Sequence, residues 1–357
     1  MNVHDAKSAV VPGANDERLP QIVEAGGTAR VHLTMAIGDY DHMRDLVHGV
    51  VRAEGIVLTA FTMPIVETIF FRFIKNHEFD VSEMSFGKYV GLTSRGNSPI
   101  VGIPVFPSRV FRHSGIYVRS DRGIKSAKDL EGRTVAIPEW AQTAVIYASG
   151  MLSEYYGVDL NAIRCVQAGV NEPGRAEKLD LNLPKEIRYS SRPEATISSM
   201  LANGDVDAAI SARTPDVFLQ GHDKVVRLFP NYREEELKYF QKTKIFPIMH
   251  LIAMRRTVFQ QHPWTAMNLM VAAEEAKRRS LERIRAIGVA AVPMPWASGF
   301  LEECAETFGA DPFPYGLDAN RATLSAFCRF AHAQHVTARQ LTPDDLFVPE
   351  LRAVSKS

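Results

Sequence analysis

A short segment, Ile103–Val118, holds the residues with the clearest capacity for chemistry. Arg109 and Arg112 are three positions apart, and His113 follows directly. A guanidinium group can make two parallel charge-assisted hydrogen bonds to one carboxylate. A histidine beside the arginines can move a proton near neutral pH. The pattern therefore favours a site that binds an organic acid and transfers a proton.

Each of these residues also has a purely structural interpretation. Either arginine could pair with a surface acid, because charged side chains are rarely buried without a partner. His113 could equally be a satisfied core histidine, and so could His250, which follows an apolar run. Arg213 could bridge two parts of the fold. The sequence leaves these alternatives open.

Composition limits the protein class. The 357 residues are 46% hydrophobic and 23% charged, and 41 basic side chains balance 41 acidic ones. This length predicts two lobes, because single cores rarely grow beyond about 250–300 residues. A net charge of zero argues against a basic nucleic-acid-binding face. Cys165, Cys304 and Cys328 form no C-x-x-C pair, so we expect buried free thiols in a reducing compartment.

The N-terminus predicts neither secretion nor membrane insertion. Residues 1–29 carry early acids and no continuous apolar stretch, so we expect a polar, flexible leader rather than a signal peptide. No apolar run reaches the roughly 18–20 residues that a membrane-spanning helix needs. We therefore predict a cytoplasmic protein without membrane partners.

Strands alternate with helices along the first two thirds of the chain. Val81 to Met84 reads as a strand, and Val66 to Asn76 has apolar residues at helical spacing. Ser126 can cap a short helix that Gly132 stops. This alternation predicts an α/β fold with crossover connections. After Pro247 the pattern becomes helical, over 264–287, 296–308 and 320–335.

Two segments indicate a particular α/β architecture. Segment 120–140 resembles the entry into the second lobe of type II periplasmic-binding-protein folds, and Gly204 to Ala208 resembles the return signal of that fold. The resemblance implies a two-lobe fold with additional C-terminal helices. Lobe 1 would comprise 30–117 and 221–357, and lobe 2 would comprise 118–220, with the ligand held between them.

Further short segments point to one family: Asp39 to Asp41, Phe79 to Ser85, Ile103 to His113, Pro138 to Glu139, Asn171 to Arg175, Ile245 to His250 and Pro314 to Leu317. With these residues, nearly the whole chain from about residue 31 resembles the 4,5-dihydroxyphthalate decarboxylase family, intracellular enzymes related to solute-binding proteins. The resemblance implies a non-oxidative decarboxylation in aromatic catabolism that yields protocatechuate and carbon dioxide.

A dihydroxylated aromatic dicarboxylate makes definite demands on the side chains. Its two carboxylates carry about two negative charges at neutral pH, and a proton must reach the ring carbon that loses its carboxylate. We expect the substrate to be bound by Arg109, Arg112, Arg213, Ser85, Ser108, Tyr40 and Ser211. The expected catalytic residues are His113, His250, Glu83 and Asp80, with the histidines at opposite ends of the ring and an acid as base or orienting group.

No cofactor is predicted. The chain has no H-E-x-x-H spacing, P-loop or G-x-G-x-x-G motif, although distant residues could still assemble a divalent metal site. Two other functions stay open, a non-catalytic aromatic-acid-binding protein and another lyase on the same scaffold, such as the dehydratases of menaquinone biosynthesis. The C-terminal helices could cover the first lobe or form a homo-oligomer interface, and the sequence does not choose.

Overall fold

The structure, a computed structural model, describes residues 19–286, 288 and 292–352. Within these residues, twelve strands form two six-stranded sheets. The first sheet contains β1 (Gln21–Ala25), β2 (Thr28–Ile37), β3 (Ile56–Thr62), β4 (Val81–Ser85), β5 (Ile100–Arg109) and β12 (Ile248–Arg255). The second contains β6 (Ile116–Arg119), β7 (Thr134–Ile137), β8 (Arg164–Gly169), β9 (Arg188–Thr196), β10 (Ala208–Ile210) and β11 (Val225–Arg227). The α/β fold class is confirmed.

The last strand in the described sequence, β12, lies in the interior of the first sheet. Its order is β1-β2-β4-β12-β5, with β3 parallel to β2. β12 pairs antiparallel with both β4 and β5, so it separates two strands that are close in sequence. Leu33, Met35 and Ile37 of β2 are almost fully buried, as the alternation of apolar residues predicts.

The second sheet is contiguous in sequence and has the order β11-β6-β10-β7-β8-β9. The predicted lobe boundary at residue 117 falls inside β6, and β11, which we assigned to lobe 1, pairs with β6. The chain therefore crosses between the sheets after Arg109 and again between Arg227 and Ile248. Short strands with few residues give weak sequence signals, which is why the boundaries shift by several residues.

Eleven α-helices within the described residues connect and cover the sheets: α1 (Asp41–Val47), α2 (Val66–Asn76), α3 (Phe86–Ser94), α4 (Thr143–Glu154), α5 (Ile197–Asn203), α6 (Asp216–Leu219), α7 (Tyr232–Thr243), α8 (Arg256–Gln261), α9 (Trp264–Arg285), α10 (Ala297–Phe308) and α11 (Arg321–Ala333). The long α9 packs on α1 and β5 of the first lobe. Helix α11 contacts α3 of the first lobe and α4 of the second, so the C-terminal part joins the lobes. Whether subunits associate stays a prediction.

The predicted flexible leader needs a correction. Residues 1–18 lie outside the described residues, but Gln21–Ala25 form β1, paired antiparallel with β2. The turn between them is Gly26-Gly27, and both glycines have positive φ, at 64° and 74°. Such a two-residue turn suits a tight hairpin because glycine adopts positive φ without steric cost. The Ala-Gly-Gly-Thr sequence forms a hairpin turn, whereas we had predicted the end of a flexible leader there.

Candidate functional site

A cleft of about 310 Å³ lies between the two sheets, near the size of small-molecule pockets. The first lobe contributes the ends of β4, β5 and β12 and the first turns of α2 and α3. The second lobe contributes the start of α4 and the loops that follow β7, β8 and β10. Its polar lining residues are Tyr40, Glu67, Ser85, Lys88, Ser108, Arg112, Glu139, Gln142, Thr143, Arg175, Arg213 and His250.

Three neighbouring strands present a row of polar side chains to this cleft. His250 of β12 is paired with Ser85 of β4 on one side and with Ser108 of β5 on the other. Directly opposed residues of paired strands project to the same face of a sheet. The Ser85 hydroxyl lies 3.0 Å from the hydroxyl of Thr143. The sheet register thus places an imidazole between two hydroxyl groups on one wall.

Glu83 lies directly beneath His250 and is fully buried. One carboxylate oxygen is 2.6 Å from His250 Nδ1 and also accepts a 2.6 Å hydrogen bond from the Tyr40 hydroxyl. The other accepts a 2.7 Å hydrogen bond from the backbone N–H of Gly38. A Cβ at position 38 would lie 3.2 Å from that oxygen and 2.9 Å from the Tyr40 ring, so glycine permits the close approach. Glu83 is therefore held rigidly against the imidazole.

The side chains around His250 fix the orientation of its ring and keep the neighbouring Tyr40 protonated. The edge of the Phe70 ring packs against the imidazole with ring centroids 5.0 Å apart. Burial, followed by the negative charge of Glu83, raises the pKa of Tyr40 far above its usual range. Tyr40 therefore stays a neutral phenol that donates to Glu83. With Nδ1 directed at Glu83, Nε2 is the imidazole nitrogen left for a ligand.

Arg112 is a cation without a carboxylate partner. Its Nε lies 3.1 Å from the Met249 sulfur, and no ion pair joins it to any carboxylate of the described chain. Burial lowers the pKa of Arg112 to about 10, so the guanidinium remains charged at neutral pH. The charge of Glu236 acts on Arg112 from beyond ion-pair distance, so the guanidinium donors remain free for the carboxylate of an anionic ligand.

Two further groups of charges line the cleft. Glu139, 1% exposed, lies 3.2 Å from Lys88 and 2.8 Å from Arg175. Arg213 of the second lobe forms a 2.9 Å ion pair with Glu67 at the start of α2 in the first lobe. Burial alone would raise the pKa of Glu67, but its own backbone N–H and Arg213 together lower it.

The cleft therefore carries a positive surplus. Two carboxylates face four cations, which are Lys88, Arg112, Arg175 and Arg213, an excess of two positive charges before Glu83 and His250 are considered. Low-dielectric walls strengthen the field of such an excess at a ligand. A dianion is the ligand that this charge distribution suits.

Many of the residues expected from the sequence meet here. The cleft brings together His250, Arg112, Arg213, Ser85, Ser108 and Tyr40, and Glu83 lies just behind them. Ser211 is buried behind the lining, where its hydroxyl bonds to the backbone of Arg213 at 2.6 and 3.2 Å. It orients the Arg213 loop and does not face the cavity.

Arg109 is not brought to the cleft, contrary to our expectation. Its guanidinium bonds to the Asn320 side chain and, at 3.2 Å, to the Pro314 carbonyl. Three rings surround it, with the Phe246 centroid at 5.3 Å. Because β5 alternates, Arg109 points to the face opposite that of Ser108. It joins the C-terminal part to the first sheet.

His113 is also absent from the cleft. It is fully buried in a short 3₁₀ turn, with the rings of Phe229, Tyr239 and Tyr156 at 5.2, 5.5 and 6.0 Å. Neither ring nitrogen has a hydrogen-bond partner among the described residues. Burial lowers the pKa of His113 to about 4, so the imidazole is neutral. The expectation of a proton donor at this position is not supported by its surroundings.

Asp80 lies at the other end of β4 from the cleft. Its carboxylate pairs with Arg255 at 2.5 Å and accepts bonds of 2.8 Å from the backbone and hydroxyl of Thr34. It joins β2, β4 and β12. Asp80 is five positions from Ser85, which corresponds to roughly 16 Å along the strand at the usual rise.

Sequence reasoning missed Lys88, Glu139 and Arg175 as site residues. Lys88 lies in the first turn of α3, and the other two lie in loops of the second lobe. Glu139 and Arg175 occur in segments that carry the family resemblance, which was the available signal. Their convergence depends on how the lobes face each other, and no local pattern encodes that.

The described residues contain no group of three or more His, Cys, Asp or Glu side chains arranged to hold a metal ion. Among the same residues, no helix is both long and apolar enough to cross a membrane. The prediction that catalysis needs no cofactor remains a prediction.

Comparisons with known proteins show what the chain is similar to. Residues 66–292 match the family described as ABC transporter, phosphonate, periplasmic substrate-binding protein. The chain is 37% identical over 322 residues to a 4,5-dihydroxyphthalate decarboxylase from Comamonas testosteroni, covering 90% of this chain and 97% of the relative. It is 41% identical over 201 residues to one from Pseudomonas putida, covering 56% and 78%.

Among solved structures, the periplasmic aliphatic sulphonate binding protein SsuA from Escherichia coli superimposes with a TM-score of 0.53 at 12% identity. The match covers 90% of this chain and 98% of that protein. At this identity the likeness concerns the fold alone, and it confirms the two-lobe binding-protein architecture.

Proposed function

The chain belongs to the 4,5-dihydroxyphthalate decarboxylase family, and to the wider periplasmic substrate-binding family that it matches over most of its length, and from this premise we propose a reaction for its cleft. The protein converts 4,5-dihydroxyphthalate, or a close hydroxylated aromatic dicarboxylate, to protocatechuate and carbon dioxide by protonating the ring. The observation that carries the proposal is the Glu83–His250 pair in the wall of a cleft with surplus positive charge.

Substrate binding uses the unpaired charge. A phthalate-type ligand brings about two negative charges, which match the excess of cations around the cleft. Arg112 takes the carboxylate that is retained, since its guanidinium forms no ion pair with a carboxylate of the described residues. Charge-assisted hydrogen bonds of this kind contribute about 1.5–3 kcal/mol each. The hydroxyls of Ser85 and Ser108 add neutral hydrogen bonds on either side of His250.

His250 supplies the proton. Its Nε2–H donates to the ring carbon that bears the leaving carboxylate, and a new C–H bond forms. The C–C bond to the carboxylate then breaks, its electron pair restores the aromatic ring, and neutral carbon dioxide departs. Glu83 orients the imidazole and stabilises its charged form, which is regained by taking a proton from water. A hydroxyl para to the reacting carbon stabilises the protonated ring.

The two carboxylates must be held unequally. A strong ion pair to the leaving group would stabilise the bound substrate more than the transition state, in which that charge disappears. The leaving carboxylate therefore lies beside the neutral Ser85 and Ser108 hydroxyls near His250. The retained carboxylate receives the Arg112 guanidinium.

A non-catalytic aromatic-acid receptor would need the cations but no proton donor. Both named relatives are decarboxylases, and the buried carboxylate behind His250 has no role in simple anion binding. These two observations favour the enzyme. A cytoplasmic location is part of the proposal, and the free thiols of Cys165, Cys304 and Cys328 support a reducing compartment.

The test is incubation of the purified full chain with 4,5-dihydroxyphthalate while carbon dioxide and protocatechuate are measured. We expect one carbon dioxide per protocatechuate formed. A panel of hydroxylated benzoates and phthalates defines the substrate range, and parallel reactions after chelation and with added divalent metals test the predicted independence of a cofactor. Absence of turnover at micromolar enzyme under all of these conditions would contradict the proposal.

A further inference from the structure

Glu139 is a buried carboxylate with two unlike oxygen atoms. It follows β7 at the second-lobe side of the cleft and is 1% exposed. Arg175 Nε donates a 2.9 Å hydrogen bond to Oε1, and Arg175 Nη2 lies 2.8 Å from the same oxygen as an ion-pair contact. The Arg175 guanidinium therefore fixes the orientation of the whole carboxylate, and Oε2 is the oxygen left over.

Glu139 Oε2 accepts no hydrogen bond from the described residues, although solvent does not reach it. Lys88 Nζ lies 3.2 Å away as an ion-pair partner, but the two atoms are not aligned for a hydrogen bond. A buried oxygen without a donor is costly, by roughly 1–3 kcal/mol. Glu139 and Lys88 both line the cleft, so a shift of the flexible Lys88 side chain exposes this acceptor to a ligand, with the ammonium donors of Lys88 beside it.

A hydroxyl group fits such a pair because it donates one hydrogen bond and accepts another. A carboxylate of the ligand does not fit, since Glu139 Oε2 would repel it and it has no proton to donate. The two ends of the cleft therefore differ in kind. Arg112 offers donors alone, whereas Lys88 and Glu139 offer a donor and an acceptor side by side.

We propose that Glu139 Oε2 accepts a hydrogen bond from a ring hydroxyl of the substrate, with Lys88 donating to the same oxygen atom of that hydroxyl. Resting on the proposed function, this assigns Glu139 as the residue that selects hydroxylated aromatic acids over unsubstituted ones. The hydrogen bond also pushes electron density into the ring, which favours protonation at the para carbon. Arg175 is a positioning residue that holds Oε2 toward the ligand.

The experiment measures binding instead of turnover and uses two acids that differ only in hydroxylation, protocatechuate and benzoate. Dissociation constants for both are determined by calorimetry for the wild-type protein, Glu139→Gln and Glu67→Gln. In Glu139→Gln the carbonyl remains toward Arg175, so an amide N–H replaces the acceptor at Oε2. Glu67→Gln removes one negative charge from the same cleft and serves as the matched control.

We expect the wild-type protein to prefer protocatechuate and Glu139→Gln to reduce that preference about 10- to 100-fold, the loss of one charge-assisted hydrogen bond. Glu67→Gln shifts both constants together and changes the preference less than about threefold. Lys88→Met is a second variant with the same expected loss, and it carries the test if Glu139→Gln does not fold. An undiminished preference in both Glu139→Gln and Lys88→Met would overturn the inference.

The readout separates this inference from the proposed reaction. A Glu139-dependent preference without release of carbon dioxide would support the hydroxyl acceptor and contradict the proposed decarboxylation. Turnover combined with an unchanged preference in the variants would support the decarboxylation and contradict the hydroxyl acceptor. A protein that binds neither acid overturns the inference, and the turnover assay alone then decides the proposed reaction.

Discussion

Two arginines and two histidines of this molecule lie in contrasting surroundings. Arg109 and His113 enter the core, while Arg112 and His250 line the cleft. Arg109 is enclosed by aromatic rings and bonds to Asn320, and His113 has no polar partner at all among the described residues. Arg112 faces a cavity, and His250 is held by a buried carboxylate.

The difference shows that residue type indicates chemistry only together with its surroundings. An imidazole among phenyl and phenol rings is held neutral, because desolvation opposes its charge. An imidazole with Nδ1 on Glu83 has one fixed orientation and a counter-charge for its protonated form. The same side chain is thus a packing element in one region and a proton carrier in the other.

The sharpest test of this comparison replaces each histidine in turn. We expect His250→Gln to lower kcat by about 100- to 10,000-fold, since a positioned acid contributes that much to proton transfer. Protocatechuate affinity should change far less, because Arg112 and the Glu139 site remain. The measurement is steady-state decarboxylation combined with calorimetry.

His113→Phe is the counterpart and should leave kcat within about threefold, since the ring cage accepts another aromatic ring. Equal losses of kcat in the two variants, with both proteins folded, would remove the distinction between the two regions.

The two arginines should separate binding from stability. Arg112→Met removes the unpaired cation of the cleft, and we expect weaker binding of protocatechuate by about 2–4 kcal/mol with little change in Tm. Arg109→Met should do the opposite, lowering Tm because Asn320 and Pro314 lose their partner. Calorimetry and thermal unfolding of both variants provide the check, and a drop in affinity for Arg109→Met without loss of stability would contradict the assignment.

The smallest expected effect concerns pH. The pKa of His113 is about 4 in the folded protein and near 6.5 when unfolded. The unfolded chain therefore binds the extra proton first, and the free energy of unfolding falls as the pH drops from 6.5 toward 4. Between pH 7 and pH 5 the free energy of unfolding falls by about 2 kcal/mol because of His113, and below pH 4 the effect of this histidine levels off.

His113→Phe should lose this pH-dependent component. The measurement is denaturant unfolding of both proteins at pH 7 and pH 5, with replacement of an exposed histidine, His48→Gln, for comparison. Because Glu236 also titrates near pH 7, the difference between wild type and His113→Phe is the quantity to compare. Parallel pH profiles for the two proteins would show that burial of His113 carries no such penalty.

Local patterns predicted much of the fold. Helix α2 spans Val66–Asn76 as its apolar spacing indicates, and Ser126 stands at the start of a short 3₁₀ helix, as predicted, where it forms a capping box with Asp129. Strand β12 was missed, because Ile248–Arg255 is apolar on both faces and lacks the alternation of a half-buried strand. That strand supplies His250, so its role could be suspected from residue type but its position could not.

The site was harder to predict than the fold, for a geometric reason. Ser85, Ser108 and His250 share one face only because of the register of three strands. Lys88 of the first lobe meets Glu139 of the second only across the gap between the lobes, and Arg175 reaches Glu139 from a separate loop of the second lobe. A single sequence records helical and strand periodicity, but it does not record the relative placement of separate layers.

The central place of β12 in its sheet also sets an order of assembly. A nascent chain leaving the ribosome carries β4 and β5 with their facing edges unpaired until residues 248–255 emerge, after the entire second sheet has been synthesised. Unpaired strand edges invite pairing with wrong partners, so this interval is the vulnerable stage of biogenesis. Any truncated product that stops before Ile248 is left with a split sheet and without the imidazole that Glu83 is built to hold.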